Sequence, residues 1–162
     1  MHDLVITSKG YARLNAELER LKNEERRRVA DRLRRATSTE ANLAQNTEYL
    51  DAREEKLRLE RRIGQIQARL RAARVVKPRA NGRIDVGERV RVRELGSGHS
   101  LELELVGQLE GDLAAGRISV ASPLGRALVG RRKGEIAAVD APRGRIGFEV
   151  LAVELPARRV AA

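Results

Sequence analysis

The chain has 162 residues, 33 of them Lys or Arg and 23 Asp or Glu, for a formal net charge of +10. Three aromatic residues, Tyr11, Tyr49 and Phe148, exclude a large core of bulky side chains and argue against a dedicated single-strand stacking platform. The absence of cysteine excludes disulfides, thiolate chemistry and cysteine metal sites.

No apolar run approaches the roughly 20 residues that cross a bilayer. Met1–Ile6 lacks the basic segment and long apolar core of a signal peptide, so the expected location is the cytoplasm, with no membrane partner. Residues 1–77 hold 19 Lys and Arg against 12 Asp and Glu, and residues 78–162 hold 14 against 11. That excess of cations suits nucleic acid or an acidic partner.

In chain order, Thr7 or Ser8 can cap a helix whose apolar stripe runs Tyr11, Leu14, Leu18 and Leu21. The stripe thins through Glu24–Arg28 and resumes at Val29, Leu33 and Ala36. A helix from Tyr11 to Ala36 would extend about 40 Å. Residues 36–42 replace long charged side chains with small polar ones, which favours a turn. A second helix follows, starting near Leu43 or Thr47 and running to Ala73. Its stripe Leu59, Ile63, Ile66, Leu70 has heptad steps, so the two helices can pair as an antiparallel hairpin. The acid-before-base pairs Glu24/Arg28 and Glu54/Arg58 suit a solvated face. The cluster Arg26–Arg28, Arg32, Arg34 and Arg35 is denser than solubility requires and could face phosphate or an acidic protein channel.

Val75–Gly82 reads as a linker, with Pro78 ending the helical pattern and Asn81-Gly82 a turn signal. Beyond it the period changes to two. Strands are expected over Val86–Leu95, Leu101–Leu105, Ile118–Val120, Ile136–Val139 and Ile146–Val153, in a mainly antiparallel sheet. Ser122–Gly130 reads as a capped helix with Pro123 at its first position. Leu4, Val5 and Ile6 are expected to dock between the two parts. The fold expected is two-part: residues 1–77 a helical coiled-coil hairpin with its tip at about 37–46, residues 78–83 a linker, and residues 84–162 an α+β domain.

Three stretches carry a family resemblance. Thr7-Ser8-Lys9-Gly10-Tyr11-Ala12-Arg13-Leu14 opens the chain, Asn46-Thr47-Glu48-Tyr49-Leu50-Asp51-Ala52-Arg53-Glu54 opens the second helix, and Ser122-Pro123-Leu124 leads to Leu128-Val129-Gly130. In this order and spacing they resemble the Gre family of transcript-cleavage factors. The resemblance implies an FKBP-like C-terminal domain that docks beside the secondary channel of bacterial RNA polymerase, on the rim of the largest subunit. It also implies that the hairpin enters the channel toward the catalytic magnesium. It implies no isomerase activity.

The family's acidic motif Gly-Asp-Leu-x-Glu-Asn falls on Ala41-Asn42-Leu43-Ala44-Gln45-Asn46, so both carboxylates are amides here. Mg²⁺ prefers anionic oxygen ligands, and a neutral amide offers little charge compensation. Asn42, Gln45 and Asn46 are therefore tip candidates, with Glu40 and Glu48 as acids that could compensate and Asp51 on the same face as Glu48. Arg53, Arg32, Arg35 and Tyr49 are candidates for contact with RNA or the channel, and Ser122, Pro123 and Leu124 for polymerase docking. The chain is expected to hold no metal or tightly bound cofactor of its own, while influencing Mg²⁺ in the polymerase. The function expected is a polymerase-binding regulator with little cleavage stimulation, not an independent enzyme. The alternatives are an active cleavage factor that rescues backtracked polymerase and a basic nucleic-acid-binding module.

Overall fold

A computed structural model describes residues 4–39 and 42–156; the expectations placed on Glu40 and Ala41 lie outside these residues. The chain divides into two compact units, residues 11–72 and residues 1–10 with 73–162.

The helical unit continues α1 (Ser8–Arg20) through a π-helical turn (Leu21–Glu25) into α2 (Arg26–Thr39), then reverses into α3 (Thr47–Ala72). Leu18, Leu21, Ile63 and Ile66 form its buried seam, flanked by Leu14, Leu59 and Leu70. The π turn was not expected, and it has a geometric reason. Eight residues at 100° each would swing Val29 roughly 80° off the line of Leu21. The wide turn, closed by Arg26 N–H donating to the Leu21 carbonyl, absorbs most of that excess. Leu21 and Val29 are both buried as a result. The re-phasing also changes the expected ion pairs. Arg28 meets Glu25 and Glu55 where Glu24 was expected, while Glu54 pairs with Arg58 as the spacing indicated.

The second unit corrects the linker. Ala73–Val76 is a strand, β2, pairing in parallel with β1 (Leu4–Thr7), with Leu4 opposite Ala73 and Thr7 opposite Val76. The local pattern of β2 is too short to distinguish from a helix end; its partner lies some seventy residues upstream. Gln108 and Glu110 hold β1 in place. Val5 N–H donates to Gln108 Oε1 at 3.0 Å, while the Glu110 carboxylate accepts from the amides of Thr7 and Gly107 at 2.9 and 2.8 Å. A Cβ at Gly107 would collide with the Val5 carbonyl oxygen, so only glycine allows this approach. Thr7 Oγ1 in turn accepts from Gly10 N–H at 3.0 Å and caps α1.

The main sheet has the order β5-β4-β3-β7-β6, from β3 (Arg89–Glu94), β4 (Ser100–Val106), β5 (Arg117–Ser119), β6 (Ile136–Ala141) and β7 (Gly144–Glu154). It is mixed: β4 and β5 run parallel and the other neighbours antiparallel. Along β3, Val90 and Val92 enter the core while Arg89, Arg91 and Arg93 face solvent, as a period of two dictates. Val86 lies ahead of the strand, in a turn where Asp85 N–H donates to the Glu88 carboxylate at 3.0 Å. α4 (Pro123–Leu128) lies against this core through Leu124, Ala127 and buried Leu128.

Two outcomes follow. Ile66 is fully buried in the seam, so Ile66→Ala should cost about 2–5 kcal/mol in chemical denaturation. Glu88 is only 1% exposed, and burial pushes its pKa up. The stability gained by keeping it neutral is complete below the ordinary glutamate value and is lost as pH rises through the raised folded value. Glu88→Gln should therefore flatten the fall in stability on going from acid toward neutral pH, measured by melting across that range.

Candidate functional site

At the hairpin reversal, α2 ends where Thr37 and Ser38 hydroxyls donate back to the carbonyls of Arg34 and Arg35 at 2.9 and 2.8 Å. Such back-bonding competes with the regular helical ladder. Asn42 Oδ1 accepts from Ala44 N–H at 3.2 Å, and Gln45 N–H donates to the Asn42 carbonyl at 3.3 Å. This is a tight turn organised by the Asn42 side chain. Asn46 is buried and works in both directions. Its Oδ1 caps α3 by accepting from Tyr49 N–H at 3.0 Å, and its Nδ2 donates to the Ala36 carbonyl at 2.9 Å. The amide thus ties the end of one helix to the start of the next.

Asn42 and Gln45 are exposed at the turn, and Glu48 and Asp51 are exposed on the first turns of α3. Asn42 already spends its oxygen on a backbone amide. Among the described residues, no three His, Cys, Asp or Glu side chains gather as a metal site. Asn42 and Gln45 offer only neutral amide oxygens, which are poor ligands for magnesium.

The arginine candidates sort by partner. Arg32 donates to Glu55 at 2.8 Å, and Arg28 reaches the same carboxylate at 2.6 Å. The hydrogen bond from Arg32 holds the Glu55 carboxyl below its ordinary pKa, with Arg28 adding to the effect. Arg26 grips Glu60 with two bonds, at 2.8 and 2.7 Å, and holds that carboxyl low as well. Much of the cluster thus ties α2 to α3. Arg35 and Arg53 are exposed, and Tyr49 is half-buried beside the cap. Sequence reading missed Glu55 and Glu60 as partners because they lie 23 to 34 residues from their arginines. No local spacing signals such a pairing.

In the sheet unit, Ser122 Oγ accepts from Gly125 N–H at 3.0 Å and donates to the Ser119 carbonyl at 2.7 Å. Pro123 stands exposed at the first helical position, and Leu124 is half-buried against the core. A Cβ at Gly125 would strike the Ser119 carbonyl, so this corner too depends on a glycine. Ser122, Pro123 and Leu124 therefore form one rigid corner. Asn46→Ala, which removes a cap and a buried link together, should cost about 1–3 kcal/mol by thermal melting. Asn46→Asp, which keeps the cap acceptor, should cost less.

Two family profiles match: the N-terminal domain of transcription elongation factors over residues 4–75, and the C-terminal domain of GreA/GreB transcription elongation factors over residues 79–155. Transcription elongation factor GreA of Ralstonia nicotianae is 38% identical over 157 residues, covering 95% of this chain and 99% of that protein. The GreA of Nitratidesulfovibrio vulgaris is 38% identical over 161 residues, covering 98% and 99%. The solved structure of GreA factor homolog 1 from Thermus thermophilus is 29% identical with a TM-score of 0.43, covering 94% of this chain and 99% of that one. With both halves of the chain matched and full-length relatives at this identity, the chain belongs to the GreA/GreB family of transcription elongation factors.

Proposed function

We propose that this chain is a transcription elongation factor that acts on bacterial RNA polymerase in the cytoplasm through its helical hairpin. The supporting observation is similarity along nearly its whole length to GreA elongation factors. In this reading the sheet unit, an FKBP-like docking module by resemblance, uses the Ser122-Pro123-Leu124 corner on the rim of the largest subunit. The hairpin tip enters the secondary channel, where Arg35, Arg53 and Tyr49 lie on the segment able to meet the channel wall or nascent RNA. The chain modulates the polymerase and is not itself the enzyme. A free-standing basic nucleic-acid module is disfavoured, because Arg26, Arg28 and Arg32 are already paired with carboxylates.

The relatives favour an elongation factor over a pure channel blocker. The tip favours weak stimulation of cleavage, because Asn42 and Gln45 are amides that, by resemblance, fall on the family motif's carboxylate positions. RNA hydrolysis in this setting draws on metal ions that polarise water and the departing oxygen. Amides at the tip add no charge to recruit or steady a metal in the polymerase. Glu48 is the described acid best placed to compensate, being exposed in the first turn of α3.

The test is cleavage of a defined backtracked complex by the native chain and by the double variant Asn42→Asp, Gln45→Glu. The native chain should bind core polymerase and accelerate cleavage weakly. The double variant should raise the rate by roughly tenfold or more, the scale set by restoring attraction between a metal and nearby carboxylates. A native rate equal to that of the variant overturns the amide-tip reading, and failure to bind core polymerase overturns the elongation-factor reading.

A further inference from the structure

The helical unit carries a groove that its own packing leaves unfilled. Val29, Ala30 and Leu33 of α2 and Leu59 of α3 form an apolar floor, and the space has a volume of about 360 Å³. Val29 is buried at the bottom, Leu33 and Leu59 are half-buried, and Ala30 is open to solvent. A hairpin whose seam is made of Leu, Ile, Val and Ala has no aromatic side chain at this point to fill it.

The rim is cationic. Arg26, Arg34 and Lys56 line it with a single carboxylate, Glu60. Glu60 is already held by both bonds from Arg26, and Arg34 pairs with Asp31 outside the lining. Lys56 lies close enough to help hold the Glu60 carboxyl low, but no carboxylate among the described residues pairs with it directly. One surplus positive charge therefore stands beside an apolar floor.

We propose that this groove seats a large apolar side chain from an acidic segment of a protein partner. Charge complementarity selects the acidic segment, and the apolar floor selects the apolar side chain. Nucleic acid fits less well. The floor is aliphatic, so a base would find no aromatic ring to stack on. A second copy seated groove to groove fits poorly because it would bring another cationic rim. The inference goes beyond the elongation-factor reading and does not depend on it.

The test uses the full chain and fluorescently labelled synthetic peptides, read by anisotropy without polymerase. The probes are a Glu-rich helical peptide with a central Phe, the same peptide with Ala at the centre, a Lys-rich version retaining Phe, and an oligouridine. The Glu-rich Phe peptide should bind saturably, and its Ala counterpart should bind about tenfold more weakly, as expected for an anchor in a pocket. Ala30→Leu fills the groove from an exposed position and should cause a similar loss with helicity and melting temperature unchanged. Lys56→Glu should weaken the Glu-rich peptide and not the Lys-rich one. Equal binding of the Phe and Ala peptides, tighter binding of oligouridine, or no saturable binding of the Glu-rich peptide would each overturn the proposal. So would self-association of the chain that Ala30→Leu abolishes, since the occupant would then be a second copy.

Discussion

A single buried amide, Asn46, is the constraint on which the reversal of the hairpin depends. A reversal between two long helices must satisfy the last carbonyls of one and the first amides of the next, within a few residues and partly away from water. Asn has an acceptor and two donors on one short side chain, so it serves both ends at once. A carboxylate there would cap α3 without a donor for the Ala36 carbonyl. With the reversal pinned, Asn42 and Gln45 occupy defined positions on an exposed turn.

A comparable constraint operates in the sheet unit, where the parallel pairing of β1 and β2 joins the residues just before α1 to those just after α3. Two parallel strands alone are marginal. The side chains of Gln108 and Glu110 supply the amide partners that β1 lacks on its other edge, and Gly107 gives them room. A negative carboxylate beside the start of α1 also suits the positive end of a helix.

The same economy explains why a chain of charge +10 does not display its arginines uniformly. Glu55 serves Arg28 and Arg32, and Glu60 serves Arg26, so the densest basic run is spent in part on holding α2 to α3. These pairs are partly solvent-exposed, so each adds little to stability. Lys56, which pairs directly with no carboxylate among the described residues, marks where this surface is electrostatically open. That distinction separates a structural arginine such as Arg32 from an exposed one such as Arg53.

Much of the organisation was legible in the amino-acid sequence. Heptad steps through Leu59, Ile63 and Ile66 identify α3, alternation identifies β3 and β4, and Ser122-Pro123 identifies the capped α4, because each signal is local and periodic. That Asn42 and Gln45 are amides is likewise read directly from the sequence. Tertiary structure decided the rest. The strand Ala73–Val76 exists because Leu4–Thr7 lies beside it; the π turn exists because two stretches of one stripe must face the same seam; Arg32 is an ion-pair residue because Glu55 comes from another helix. Each is a contact between residues distant in the chain, and no local pattern of side chains encodes the neighbour that completes it.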